Sequence, residues 1–518
     1  MYKRSVLVLW TMFSSHLGLA TDIHDFVRRG ESEVLASYIS SVSTRNPKEL
    51  NEQNEDGETP LHIAVIHQPV EITRLLIANG ANVNARDKHG KTPLHNAQAK
   101  HMVPLLENGA DIEARDNYGN TPLQSMSIWL RTPECLLLMH RGASVATKDN
   151  HGCTLLHSIT MHHVKQEEGQ CALAKEFLAR GADVNAGAMV QDTPLHEAAK
   201  YGNTSYARFL LENGALVDAP GFFQKTSLHN AAEAGHVLTA ALLLEYHADM
   251  QQRNRDGQTP LHLAVIKGHE PLTEYLLERA DPADTQLLLH DIIVDGKNKI
   301  NILRMLLRKG ANPNVKRDEG KFRALNSRFG GATPLHVVAF QNLYNGNCFA
   351  TPEECQTMGT LLLEHDADPN IPDFEGHPPL HYAVETNQVS LAQALLEHGA
   401  RVDEGTLMGQ TALHLAVWSH NRSRSVGFTE EERLPLVQLL LERGANPNAQ
   451  IIQGGYCGRT PLLGAVLSNF AKISALLIRY GANATLPDFS GSTPLQTAEA
   501  RKCEPLIQLL RENGGDQA

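Results

Sequence analysis

A chain of 518 residues exceeds what one hydrophobic core organises, which leaves several domains or an array of small units. With 42% hydrophobic and 20% charged residues it is neither low-complexity nor disordered, and folding is expected along nearly its whole length. The formal net charge of -12 argues against a nucleic-acid or anionic-membrane ligand, which would require a dominant basic face. Seven scattered cysteines without a CxxC pair exclude a disulfide framework and a structural zinc site.

The first residues differ from all that follow. Lys3 and Arg4 precede an apolar run from Ser5 to Phe13, Gly18-Leu19-Ala20 offers small residues at a cleavage point, and no acidic residue appears before Asp22. Residues 1–20 therefore read as an export signal cleaved after Ala20, which makes the protein secreted or exported. In the alternative reading they form an apolar first helix capping the chain, and the protein is cytoplasmic. The run is too short to span a bilayer, and no long apolar run occurs elsewhere, so no membrane span is expected. Asp22 to Gly30 already reads as the first helix of a repeating unit.

From there the chain repeats. Thr-Pro-Leu-His or a close variant begins at Thr59, Thr92, Thr193, Thr259 and Thr333, with near matches at Thr121, Thr154, Thr226, Pro378, Thr411, Thr460 and Thr493. The commonest spacing is about 33 residues. A degenerate copy, Leu287 to His290, fills the gap between Thr259 and Thr333. In the copy from Asn54 to Asn84, Asp56-Gly57 supplies a turn, Thr59 an N-cap and Pro60 the first helical position. Leu61, Ala64 and Val65 fall on one helical face; Ile72, Leu75, Leu76 and Ile77 mark a second helix, closed by Gly80. Neither helix is long enough to be stable alone, so the units must bury their apolar faces against one another.

This pattern resembles the ankyrin repeat: Thr-Pro-Leu-His opens helix one, and Gly-Ala-Asp/Asn-Val-Asn leads out into a finger. The resemblance covers about residues 21 to 518, with Leu-Leu-x-x-Gly-Ala at Leu210-Leu211, Leu306-Leu307, Leu395-Leu396 and Leu440-Leu441. It implies an all-α repeat solenoid of about thirteen stacked helix-turn-helix units with projecting β-hairpin fingers. An opening cap unit is placed at 21–54, repeats at about 55–490 and a closing cap unit at 491–518. It also implies protein binding through finger tips and the concave helix surface, with one or more proteins as partners and the chain monomeric. The histidine at the fourth motif position, as in His62, His95, His157, His196, His229, His262, His336, His381 and His414, is then structural and bonds near the preceding Thr.

Departures from the repeat are where an individual function is sought. Insertions lie near 160–170, 315–332, 341–357, 418–433 and 450–458, and read either as recognition loops or as drift in tolerant loops. Aligned finger tips are Lys88-His89, Asn117-Tyr118, Asn150-His151, Met189-Val190, Phe222-Phe223, Arg255-Asp256 and Leu407-Met408. Met189, Val190, Phe222 and Phe223 come from two consecutive apolar fingers and form the first candidate partner-binding patch, with Tyr118, Leu407, Met408 and Tyr456 as further candidates. The alternative is that these side chains fold back onto neighbouring hairpins.

No catalytic, cofactor-binding or metal site is expected. Gly90-Lys91-Thr92 lacks the phosphate-loop glycine where Ala85 stands, and His269-Glu270 lacks a second histidine where Thr273 stands. His157, His162, His163 and Cys171 match no zinc spacing. Sequons at Asn203, Asn421 and Asn483 are glycosylation candidates in a eukaryotic secretory route, and Cys348 and Cys355 are a candidate bridge in an oxidising compartment. The expected function is a non-enzymatic, exported protein-binding scaffold. The alternative is an intracellular adaptor, disfavoured because the residues after Thr493 read as one closing repeat and not as a recruiting box.

Overall fold

A computed structural model describes residues 23–30, 32–42, 49–160, 167–281, 285–286, 288–295, 299–316, 330–340, 351–418 and 428–514. The leader, His162, His163, Asn421, Cys348 and most of the inserted segments lie outside these residues. Fourteen helix pairs form among the described residues. That is one more than about thirteen, because the degenerate copy makes its own pair, Leu288–Asp295 and Ile300–Arg308, beside the opening pair and twelve motif-bearing pairs. The chain divides into two compact units, one ending at Leu263 and the other beginning at Ala264, within helix Pro260–Lys267. No helix among the described residues is long and apolar enough to cross a membrane.

The pair Pro60–His67 and Val70–Ala78 shows why these residues fold as they do. Thr59 is extended and Pro60 opens the helix at a position where a missing N–H costs nothing. Leu61, Ala64, Val65, Ile72 and Leu76 are fully buried, each large side chain contributing about 1.5–3 kcal/mol. Leu75 and Ile77, expected in the same face, are only half-buried. Gly80 takes φ +94° just past the second helix, a conformation in which a Cβ is strained.

Where it is present, the motif histidine commonly ties its helix start to the next unit. The Thr59 backbone N–H donates to His62 Nδ1 at 3.1 Å, and His62 Nε2 lies 3.0 Å from the carbonyl of Lys91 in the following finger. Because Nδ1 accepts, Nε2 carries the proton and donates it forward. His95 to Asn120, His157 to Asp192, His196 to Lys225, His229 to Gln258, His336 to His377 and His414 to Arg459 repeat the link. With both its ring nitrogens engaged in this way, His157 is not available as a metal ligand. In the unit opening at Pro378, proline supplies neither N–H nor hydroxyl, and buried His381 Nδ1 is left without a hydrogen-bond partner. At two positions glutamine replaces histidine, and Gln124 makes the same pair of contacts: Thr121 N–H to its Oε1, and its Nε2 to the carbonyl of Cys153.

Two inserted segments end sooner than the sequence suggests. Helix Pro352–Leu363 starts at a capping box of Thr351 and Glu354, so Cys355 is buried in a helix and not placed in a loop. Helix Glu430–Glu442 starts likewise at Thr429 and Glu432. Its Arg433 is buried and reaches back to the preceding unit, donating from Nη1 to Val384 O at 2.5 Å and from Nη2 to Glu385 O at 3.3 Å, with its guanidinium 4.4 Å from the Phe428 ring. Asn203 is fully buried as an N-cap, accepting from the Tyr206 N–H and donating to Gln170, so the folded chain does not present it for glycosylation.

Candidate binding surface

The fingers are closed by turns, and no strand forms among the described residues. In a regular finger an Asp or Asn builds the turn: Asp87 Oδ1 accepts from the N–H groups of His89 and Lys91 at 2.9 and 2.8 Å, and Gly90 takes φ +75°. Asn54, Asp116, Asp149, Asn254, Asp373 and Asp488 do the same. Neighbouring fingers are joined at their tips by backbone bonds: Lys88 N–H to Asp56 O, Asn117 to His89, Asn150 to Tyr118 and Met189 to His151.

The two apolar fingers break this plan. Ala188 and Gly221 stand where the Asp or Asn belongs, and Gln191 and Gln224 stand where the glycine belongs, at φ +68° and +57°. Phe223 is also left-handed, at φ +55°. The usual tip bond is replaced as well, since the Phe222 N–H donates to Asp192 Oδ1 at 2.7 Å. That carboxylate fills the space beside Gly221, where a Cβ would lie 2.2 Å from it; glycine is required there by close approach.

All four candidate side chains of this patch are exposed: Met189 74%, Val190 46%, Phe222 48% and Phe223 42%. The phenylalanine rings meet edge to face at 4.4 Å, and the Arg255 guanidinium lies 5.9 Å from the Phe223 ring. The two phenylalanines thus contact each other and a cation, while Met189 lies beside Gly152 of the preceding finger, where a Cβ would be 3.3 Å from its Cγ. Tyr118 is exposed in the same unit, on its own finger. Leu407, Met408 and Tyr456 are exposed in the second unit, Tyr456 against Trp418 at 5.2 Å and under the Arg459 guanidinium at 4.9 Å. Ile451 of the same finger is buried. Sequence reasoning passed over Phe374 and Phe489, which are exposed tips too, and did not count Ile452 among the site residues; extending the tip alignment to every finger of the second unit identifies them.

Stacked helix pairs with projecting fingers define a repeat array, and no group of three or more His, Cys, Asp or Glu side chains that could hold a metal ion occurs among the described residues. The profile described as "Ankyrin repeats (3 copies)" matches residues 23–116, 160–254, 228–317, 347–450 and 428–517. The chain belongs to the ankyrin-repeat family. Similar proteins include the B-cell lymphoma 3 protein homolog of Mus musculus, 32% identical over 215 residues, which are 36% of this chain and 45% of that one. Another is the E3 ubiquitin-protein ligase KEG of Arabidopsis thaliana, 27% identical over 41% of this chain and 14% of its own. The crystal structure of the ankyrin repeat domain of Bcl-3 matches with 28% identity and a TM-score of 0.36, over 40% of this chain and 92% of that one. The chain thus spans less than half the length of these two curated relatives.

Proposed function

We propose that this chain is a non-enzymatic protein-binding scaffold that takes a protein partner on the fingers carrying Met189, Val190, Phe222 and Phe223. One observation carries the reading. Two adjacent fingers have given up both turn-forming residues, hold three non-glycine residues at positive φ, and present apolar side chains to water. Left-handed non-glycine backbone costs on the order of 1 kcal/mol per residue, and paired exposed aromatics are the usual anchors of an interface. The test is to immobilise the wild type and the Phe222→Ser/Phe223→Ser variant, expose both to host extract, and compare captured proteins by quantitative mass spectrometry. Proteins enriched on the wild type and lost from the variant, at an unchanged unfolding temperature, are expected; equal capture sinks the assignment.

Export is part of the same proposal and rests on the basic-then-apolar leader. Intact-mass spectrometry of the protein from its native host tests it. A start at Thr21 is expected, and an intact leader turns the reading to the intracellular adaptor.

A further inference from the structure

Resting on the protein-binding reading above, we propose that the fingers of the second unit form a separate apolar ridge that docks a basic amphipathic helix bearing one large apolar residue per heptad. Phe374, Leu407, Ile452 and Phe489 occupy the leading tip position of four successive fingers and are 58%, 69%, 61% and 66% exposed. In the first unit the same position holds Lys88, Asn117, Asn150 and Arg255, and only Met189 and Phe222, on two adjacent fingers, are apolar there.

These four side chains are held in a row. Each lies against the glycine of the finger before it: a Cβ on Gly331 would be 2.6 Å from Phe374 Cδ1, on Gly376 2.9 Å from Leu407 Cγ, on Gly409 2.7 Å from Ile452 Cγ1, and on Gly458 within contact of the Phe489 ring. The first helices of successive units pack directly on one another, and packed helices are about 8–10 Å apart. A helix offers one residue per heptad every ~10.5 Å on one face. A ridge with the spacing of the stacked helices, about 8–10 Å, is thus close to the heptad rise of ~10.5 Å.

A helical occupant also suits the backbone. The tip N–H groups of Phe374, Ile452 and Phe489 are already donated to Gly330, Met408 and Cys457, so an extended segment finds few free groups to pair with, whereas a helix satisfies its own.

Charge decides the sign of the partner. Asp366, Asp368, Glu375 and Asp403, on the same fingers and the loops leading into them, form no ion pair with a lysine or arginine among the described residues. The described cations there are engaged, Arg401 with Glu404 at 3.3 Å, Arg459 over the Tyr456 ring and Lys316 on the carbonyl of Pro372 at 3.0 Å. An apolar row among uncompensated carboxylates complements apolar residues flanked by lysine or arginine.

The probe is a fluorescent four-heptad alanine–lysine helix with one leucine per heptad, titrated by anisotropy with the full chain. Saturable binding is expected, weakened about tenfold or more in Phe374→Ser/Ile452→Ser/Phe489→Ser and again in the charge reversal Glu375→Lys, an exposed side chain whose one ionic contact is His377 of its own finger. The matching alanine–glutamate helix is expected not to bind. Equal binding of the acidic helix, no saturable binding by the wild type, or full affinity in both variants overturns the ridge. Phe222→Ser/Phe223→Ser is expected to bind the probe as the wild type does. Loss of the probe in that variant alone overturns the ridge while leaving the partner-capture reading in place.

Discussion

The motif histidines make the stack acid-sensitive. Burial holds His62, His95, His157, His196 and His229 below the ordinary imidazole range, and pushes His336 and His414 down to about 4. Geometry gives the reason, since a proton on Nδ1 would face the Thr N–H that now donates to it. With folded values below the ordinary 6.5, the unfolded chain binds protons first. The stabilisation is complete above about pH 6.5 and is lost as the pH falls through 4, on the order of 3 kcal/mol each for His336 and His414. Calorimetry between pH 7 and 4 should show the unfolding temperature falling, and His414→Gln, copying Gln124, should flatten that fall. At the same scale, Gln191→Gly and Gln224→Gly should raise the urea midpoint through a gain in unfolding free energy of about 0.5 kcal/mol or more each, because glycine adopts positive φ without a Cβ clash. An unchanged or lower midpoint would show that these turns store no strain.

At the scale of the element, helix starts were legible and inserted loops were not. Thr-Pro at the N-cap and first turn is a local instruction, read correctly at nearly every unit. Arg433 carries no such local signal: a charged residue one turn into a helix reads as solvent-facing, yet it is buried because Val384 and Glu385 present carbonyl groups at the end of the preceding unit's first helix. Replacing it by methionine keeps the volume but strands those carbonyls, and should cost about 1–3 kcal/mol in chemical denaturation. The variant matching wild-type stability would reduce Arg433 to a packing residue. The finger tips were legible as positions. That Gly221 makes room for a carboxylate bridge from Asp192 was not, because the bridge joins residues about one repeat apart.

At the scale of the whole molecule, stability is carried by contacts between neighbours. Leu440→Ala, in a fully buried position, should cost about 2–5 kcal/mol, and hydrogen exchange should locate the damage. Protection should fall in the units opening at Pro378, Thr411 and Thr460, and hold in helices Leu288–Asp295 and Ile300–Arg308 of the same compact unit. Uniform loss across the unit would mean that it unfolds as one block.

What the sequence by itself determined is the repeating unit, because its determinants are local: a cap, a proline, an apolar spacing and a glycine that recur within each copy. Tertiary structure alone decided where the chain divides into two compact units, which apolar tips remain exposed, and that four of them lie in register on successive glycines. Those features arise between copies, where each residue's environment is set by its counterpart one repeat away.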